Sequence, residues 1–222
     1  MTEIPQLKAE LRAAIDSANP NGTYEEGTVD RIHELMQQLA DITPMPRPID
    51  EQDKVAGPWA SYFAQFGPKH TAGKPIEHET SMKLLSFNKF PDAPIRMLEI
   101  EQEIHHESKD YNNVQVIENI AGTKRAHFIV YGRYDIAEET PQRYQVEFYK
   151  IALVGLEGES DDELRESFGL APDTPLEVEM KPPKLHSDVV FCDDDMRINF
   201  GSMGGAYVMN RSHHSGYSVR FS

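Results

Sequence analysis

Apolar residues follow two different spacings along this chain, and the change of spacing divides it. Leu7, Leu11 and Ile15 fall at every fourth position, with Ala14 on the same face and Lys8, Glu10 and Arg12 opposite, so a helix is predicted near 5–18. Asn19-Pro20-Asn21-Gly22 ends it. Thr23 with Glu26 three residues on has the form of a capping box, and Val29, Ile32, Met36 and Leu39 mark a second stripe running to about Ile42. The two helices are expected to form an αα-hairpin. Prolines at every second position over 43–48 block helix continuation and stiffen the segment into an extended connector.

From Trp59 onward the period shortens from about 3.6 to 2, the mark of strands with one buried face. The clearest run is 96–107. Leu98, Ile100, Gln102, Ile104 and His106 share one face there, while Glu99, Glu101, Glu103, His105 and Glu107 form an acidic, solvated one. The same alternation recurs in Ile76, His78, Thr80, Met82 and Leu84, in Ala126, Phe128, Val130, Gly132 and Tyr134, and in Tyr144, Val146 and Phe148. Pro, Gly, Asn or Asp clusters separate these runs, which predicts antiparallel neighbours. Short runs over 189–191, 196–200, 206–208 and 217–221 add further strands, with Asp193-Asp194-Asp195 and 201–205 as turns. Roughly eight to ten strands in successive hairpins favour an up-and-down barrel, because closure removes the exposed edges of so large a sheet. Residues 157–184 interrupt the meander with acids, four prolines and a helix-like run from Asp161 to Phe168 stopped by Gly169. This insertion is expected to be solvated decoration, or else an acidic face turned to a protein partner.

A chain of 222 residues favours one large unit. Within it, 1–48 supply the hairpin and connector packed on the barrel, and 49–222 supply the barrel with its insertion. The 22 Lys+Arg against 37 Asp+Glu leave a net charge of −15, so most of the surface repels a phosphate backbone or an anionic bilayer. Nucleic acid is excluded as a partner, and membrane contact is at most peripheral. The one cysteine, Cys192, can form no intramolecular disulfide, which fits a reducing, cytoplasmic setting. The first ten residues lack the apolar core of a signal peptide, and the apolar stretch 151–156 is far shorter than the ~20 residues that span a bilayer.

Several landmarks occur in order: the hairpin, the proline-alternating connector, Gly57-Pro58-Trp59, then Tyr111-Asn112-Asn113-Val114-Gln115-Val116-Ile117 in mid-sheet. Near the C-terminus come Asp195-Met196-Arg197-Ile198-Asn199-Phe200-Gly201 and Gly205-Ala206-Tyr207-Val208-Met209-Asn210-Arg211. Over nearly the whole chain this series resembles the plastid lipid-associated protein, or fibrillin, family. The resemblance implies a lipocalin-like barrel preceded by a helical segment, and binding of lipids, isoprenoids, carotenoids or quinone precursors, often beside photosynthetic membranes. With no transit peptide, it implies a bacterial relative. Two departures qualify it. The Leu-Tyr-Thr-Thr-like run usual after the tryptophan is Ala60-Ser61-Tyr62-Phe63 here, and the second arginine of the Arg-x-x-Arg-Gly signature is Phe200, leaving Arg197 and Gly201 as the matching pair. If that arginine pair grips a headgroup in relatives, half the grip is lost and Arg197 is the remaining candidate.

The candidate chemistry lies on the inward faces. Trp59 is expected to close one barrel end under Arg197, Arg211 or Arg220 by a cation–π contact of about 0.5–2 kcal/mol. Leu98, Ile100, Ile104, Phe128, Val130, Tyr134, Val146 and Phe148 form either a filled core or a ligand cavity, and the family resemblance favours the cavity. Gln102, His78 and His106 on the same faces need partners, since an unpaired buried polar group costs several kcal/mol. A neighbouring tyrosine or backbone group supplies these in the plain reading; in the sharper one they meet a ligand's polar end. The ligand-binding candidates are therefore these apolar residues with Gln102 and Arg197. The first function expected is binding of a small hydrophobic ligand such as an isoprenoid, carotenoid or quinone precursor, for storage, transfer or presentation. The alternative is a cofactor-independent isomerase or cyclase in the same cavity, with His78, His106 and Tyr134 as acid–base residues. No metal or cofactor is expected: His105 and His106 point to opposite faces of a strand, and Cys192 has no basic neighbour.

Overall fold

The computed structural model describes residues 3–65, 73, 78–181 and 184–212. Its elements in chain order are helices α1 (Glu3–Asp16) and α2 (Thr28–Asp41), a 3-10 turn at Pro48–Asp50, short helix α3 (Gln52–Val55), strands β1 (Gly57–Gln65) and β2 (His78–Ser81), and one-turn helix α4 (Met82–Leu85). There follow β3 (Pro94–His105), β4 (Asp110–Asn119), β5 (Arg125–Ile136), β6 (Arg143–Gly155), helix α5 (Asp161–Ser167), β7 (Glu177–Glu179), β8 (Leu185–Cys192), β9 (Met196–Gly201) and β10 (Ala206–Arg211). Ile76, the strand expected over 217–221 and Arg220 lie outside the described residues.

Consecutive hairpins build an antiparallel sheet in the order β1-β10-β9-β8-β6-β5-β4-β3, and β3 pairs back onto β1 from Gly57↔Ile104 to Ala60↔Glu101. Eight strands thus close a barrel. β2 pairs with the first part of β3 that β1 leaves free, and β7 covers the second part of β6 beyond β8. The run from Ile76 to Leu84 is not one strand: β2 ends at Ser81 and Met82 begins α4.

The helical hairpin lies on the outside of the barrel. Leu11, Ile15, Ile32, Leu35, Met36 and Leu39 pack with Phe63, Phe191, Met196, Ile198, Ala206 and Val208 from β1, β8, β9 and β10. Burying each large side chain of this layer stabilises the fold by about 1.5–3 kcal/mol. Lys8 of α1 donates to Asp193 at 2.6 Å and also to Asp195, and Arg12 reaches Asp195 at 2.8 Å, so the acidic β8–β9 turn latches the hairpin down. The expected capping box at Thr23 does not form. Thr23 donates instead to Asn21 Oδ1 at 2.7 Å, and α2 begins after Gly27, whose φ of 81° suits glycine.

This outer cover inverts the usual rule on β9. Met196 and Ile198 point outward into the hairpin, so the alternate positions, Arg197 and Asn199, point into the barrel. β3 carries a related surprise. Glu101 and Glu103, expected on a solvated face, are 2% and 0% exposed. Pairing with β1 on one side and β4 on the other makes this half of β3 an interior strand; Ser212 donates to Glu101, and His105 lies 3.6 Å from Glu103.

The insertion is structural as well as acidic. α5 starts with a capping box in which Ser160 accepts from the Glu163 backbone and Glu163 from that of Ser160. Its acids face water while Leu164, Phe168 and Leu170 join the barrel core, and Leu153 N donates to Leu176 O at 2.8 Å. The solvated-decoration expectation is corrected on that point, because an i, i+4 apolar pair, Leu164 and Phe168, buries one face of the short helix.

Candidate ligand-binding cavity

One end of the barrel is stoppered and the other opens. At the stoppered end Trp59 is fully buried, and its Nε1 donates to Val55 O at 2.8 Å. The Arg211 guanidinium lies 3.9 Å from the ring centre and donates to the carbonyls of Lys54 and Ala56; that of Arg197 lies 4.9 Å from the same ring. Two of the three arginines expected to cover Trp59 therefore do so.

Between stopper and mouth runs a cavity of about 550 Å³. Met97 and Ile100 of β3, Val130 of β5, Val146 and Phe148 of β6, and Tyr207 and Met209 of β10 make its walls. Leu84, Phe87, Leu185 and Met203 rim the mouth, with Leu84 73% and Met203 70% exposed. Phe87 holds a left-handed φ of 53°, strained for an aromatic residue, and its ring lies 6.4 Å from that of Phe148. Farther down β5, Gly132 admits the Phe148 ring: a Cβ there would lie 2.8 Å from it and 2.6 Å from Tyr111 O.

The floor is polar, and strand register assembles it. Trp59 sits opposite Gln102, Gln102 opposite Asn113, and Met209 opposite Arg197. Arg197 Nη2 donates to Gln102 Oε1 and to Met209 Sδ, and Gln102 Nε2 donates to Asn113 Oδ1 at 3.0 Å. Asn199 Nδ2 donates to Ser187 Oγ at 2.8 Å beside the Tyr111 hydroxyl, and Gln115 faces the lumen higher up. Arg197 is 0% exposed, and its Nε and Nη1 have no hydrogen-bond partner among the described residues. Burial lowers its pKa. Among the described residues no Lys, Arg, Asp or Glu lines the cavity.

Of the residues expected to line a ligand site, Ile100, Gln102, Val130, Val146 and Phe148 face the cavity. Leu98 does not: the β-bulge between Met97 and Glu99 breaks the alternation, leaves Leu98 half-buried and turns Met97 to the lumen instead. Ile104, Phe128 and Tyr134 are packed in the core at the ends of the cavity, Phe128 edge-on to Phe90 at 4.9 Å. Arg197 lies behind Gln102 and Met209, beneath the floor. The three acid–base candidates are not gathered. His78 stands exposed at the mouth; His106 lies past the end of β3, in the turn before β4 and not on an inward strand face, 2.5 Å from Asp53; Tyr134 donates to Gln52 at 3.1 Å, its hydroxyl pushed up to about 12 by burial. Alternation missed Asn113, Gln115 and Asn199, although each sits at an alternate position of its strand. Cys192 is buried, and desolvation raises its thiol to about 11.

Among the described residues no helix is long and apolar enough to cross a membrane. No curated protein matches the chain. Among solved structures it is similar to a lipocalin-like protein from Bacteroides uniformis, at 11% identity and a TM-score of 0.32 over 72% of this chain and 99% of that one. A protein from Bacteroides eggerthii aligns at 16% identity and 0.30 over 71% and 98%, and a biogenic amine-binding protein at 9% and 0.32 over 74% and 67%. The profile of the PAP_fibrillin family matches residues 5–210, and the chain belongs to that family.

Proposed function

We propose that the protein binds one small hydrophobic molecule with a single polar end inside the barrel and stores, transfers or presents it. The observation that carries this reading is the apolar-walled cavity of about 550 Å³, within the range of roughly 300–1,000 Å³ usual for small-molecule sites, with a polar floor at its closed end. Family membership and the exposed apolar rim support it. From Met97 to Gln102 the wall runs about 16 Å at roughly 3.3 Å per residue. A full-length carotenoid exceeds that depth and would protrude, whereas a short isoprenoid or a quinone precursor is enclosed. The scattering of His78, His106 and Tyr134 ranks binding above an isomerase or cyclase.

Native mass spectrometry of freshly purified protein is the direct test. A small molecule is expected to co-purify with the wild type and to be absent from Ile100→Trp, which fills the lumen while circular dichroism stays unchanged. A folded Ile100→Trp protein that retains its cargo would refute the reading.

A further inference from the structure

We propose that the polar end of the bound molecule is uncharged and presents a carbonyl oxygen to Asn113. This rests on the lumen being the binding site and goes beyond it by naming the head chemistry.

The direction of the floor's hydrogen bonds is imposed from below. A guanidinium only donates, so Arg197 fixes the Gln102 carboxamide with its oxygen downward. Gln102 must then offer its NH₂ group sideways, and Asn113 receives it on Oδ1 at 3.0 Å. The NH₂ group of Asn113 is left at the end of the relay, on a half-buried residue that lines the cavity, with no partner among the described residues. A positive charge at one end of a chain of amides polarises every bond along it, so the last N–H is a strengthened donor. A carbonyl oxygen is the matching acceptor.

Charged heads fit less well. Gln102 and Met209 stand between Arg197 and the lumen, so a carboxylate or diphosphate would have to push both aside to meet the guanidinium. It would also face Gln115 Oε1 and Asn199 Oδ1, two acceptors on residues more than nine-tenths buried that have no hydrogen-bond partner among the described residues. An ammonium would satisfy those acceptors but would sit above the buried arginine charge. A hydroxyl beside the carbonyl would use them without that conflict.

The test uses probes of one tail length: a long-chain methyl ketone, the matching carboxylate, the matching amine and the plain alkane. Trp59 is the chain's one tryptophan and lies directly under the floor, so its emission reports head placement, while native mass spectrometry reports occupancy. The ketone is expected to bind about tenfold more tightly than each of the others. Asn113→Leu should bring the ketone down to the alkane, and Asn113→Asp should reverse the order in favour of the amine. The wild-type order decides the matter even if neither variant folds. A carboxylate or an amine that matches or beats the ketone overturns the inference. Equal binding of ketone and alkane overturns it while leaving the lumen as the binding site, and failure of all four probes removes the binding reading as well.

Discussion

Arg197 and Arg211 share one tryptophan ring but not one role. Arg211 is half-buried, stacks at 3.9 Å and caps two carbonyls at the end of α3, so its charge is both solvated and used. Arg211→Ala is expected to cost about 2–3 kcal/mol in urea denaturation and to shift Trp59 emission to the red. Arg197 is buried with no carboxylate partner among the described residues, and desolvating such a charge is expensive. Arg197→Met should therefore be neutral or stabilising by about 1 kcal/mol or more, while abolishing any preference of the floor for a carbonyl head. A large loss of stability in that variant would contradict this account. The tryptophan stack is legible in the sequence because Gly57-Pro58-Trp59 and the late arginines stand out as rare residues in strand context. The floor is not. Asn199 lies between Ile198 and Phe200, and nothing local reveals that the apolar neighbours are claimed by helices on the outside.

At the scale of elements, period 2 locates the barrel strands well, since most have one dry face. It fails where a bulge adds a residue, because one extra position sends every later side chain to the other face; Leu98 and Met97 exchange places for that reason. It also fails on β2, which gives way to α4 after four residues. The insertion is misjudged by composition: acids outnumber its apolar residues, yet Leu164, Phe168, Leu170, Leu176 and Met180 all join the barrel core. Phe168→Ala is expected to destabilise the protein by about 3–5 kcal/mol in chemical denaturation. If α5 were mere decoration, the same variant would change stability by less than about 0.5 kcal/mol.

For the whole molecule, what matters is how the hairpin is held against the barrel. Desolvation works to raise the Asp195 carboxyl, but hydrogen bonds from Lys8 and Arg12 overcome it and hold the group well below the usual carboxylate range. A depressed folded-state pKa contributes stability that is complete above the unfolded value of about 3.9 and is lost as pH falls below it. The wild type should accordingly lose stability from about pH 4 downward. Asp195→Asn should be less stable at neutral pH and show a flatter acid limb in denaturation midpoints measured against pH. Equal acid limbs in the two proteins would mean that the latch does not tie the helices down.

With Trp59 and its arginines sealing the far end, the barrel is a blind well, not a pipe. On the proposed function, an occupant is never pushed out from behind by a newcomer; it must first climb past Leu84, Phe87 and Met203 and leave the well empty. Exchange is then paced by departure, and a filled barrel stays filled through brief scarcity outside.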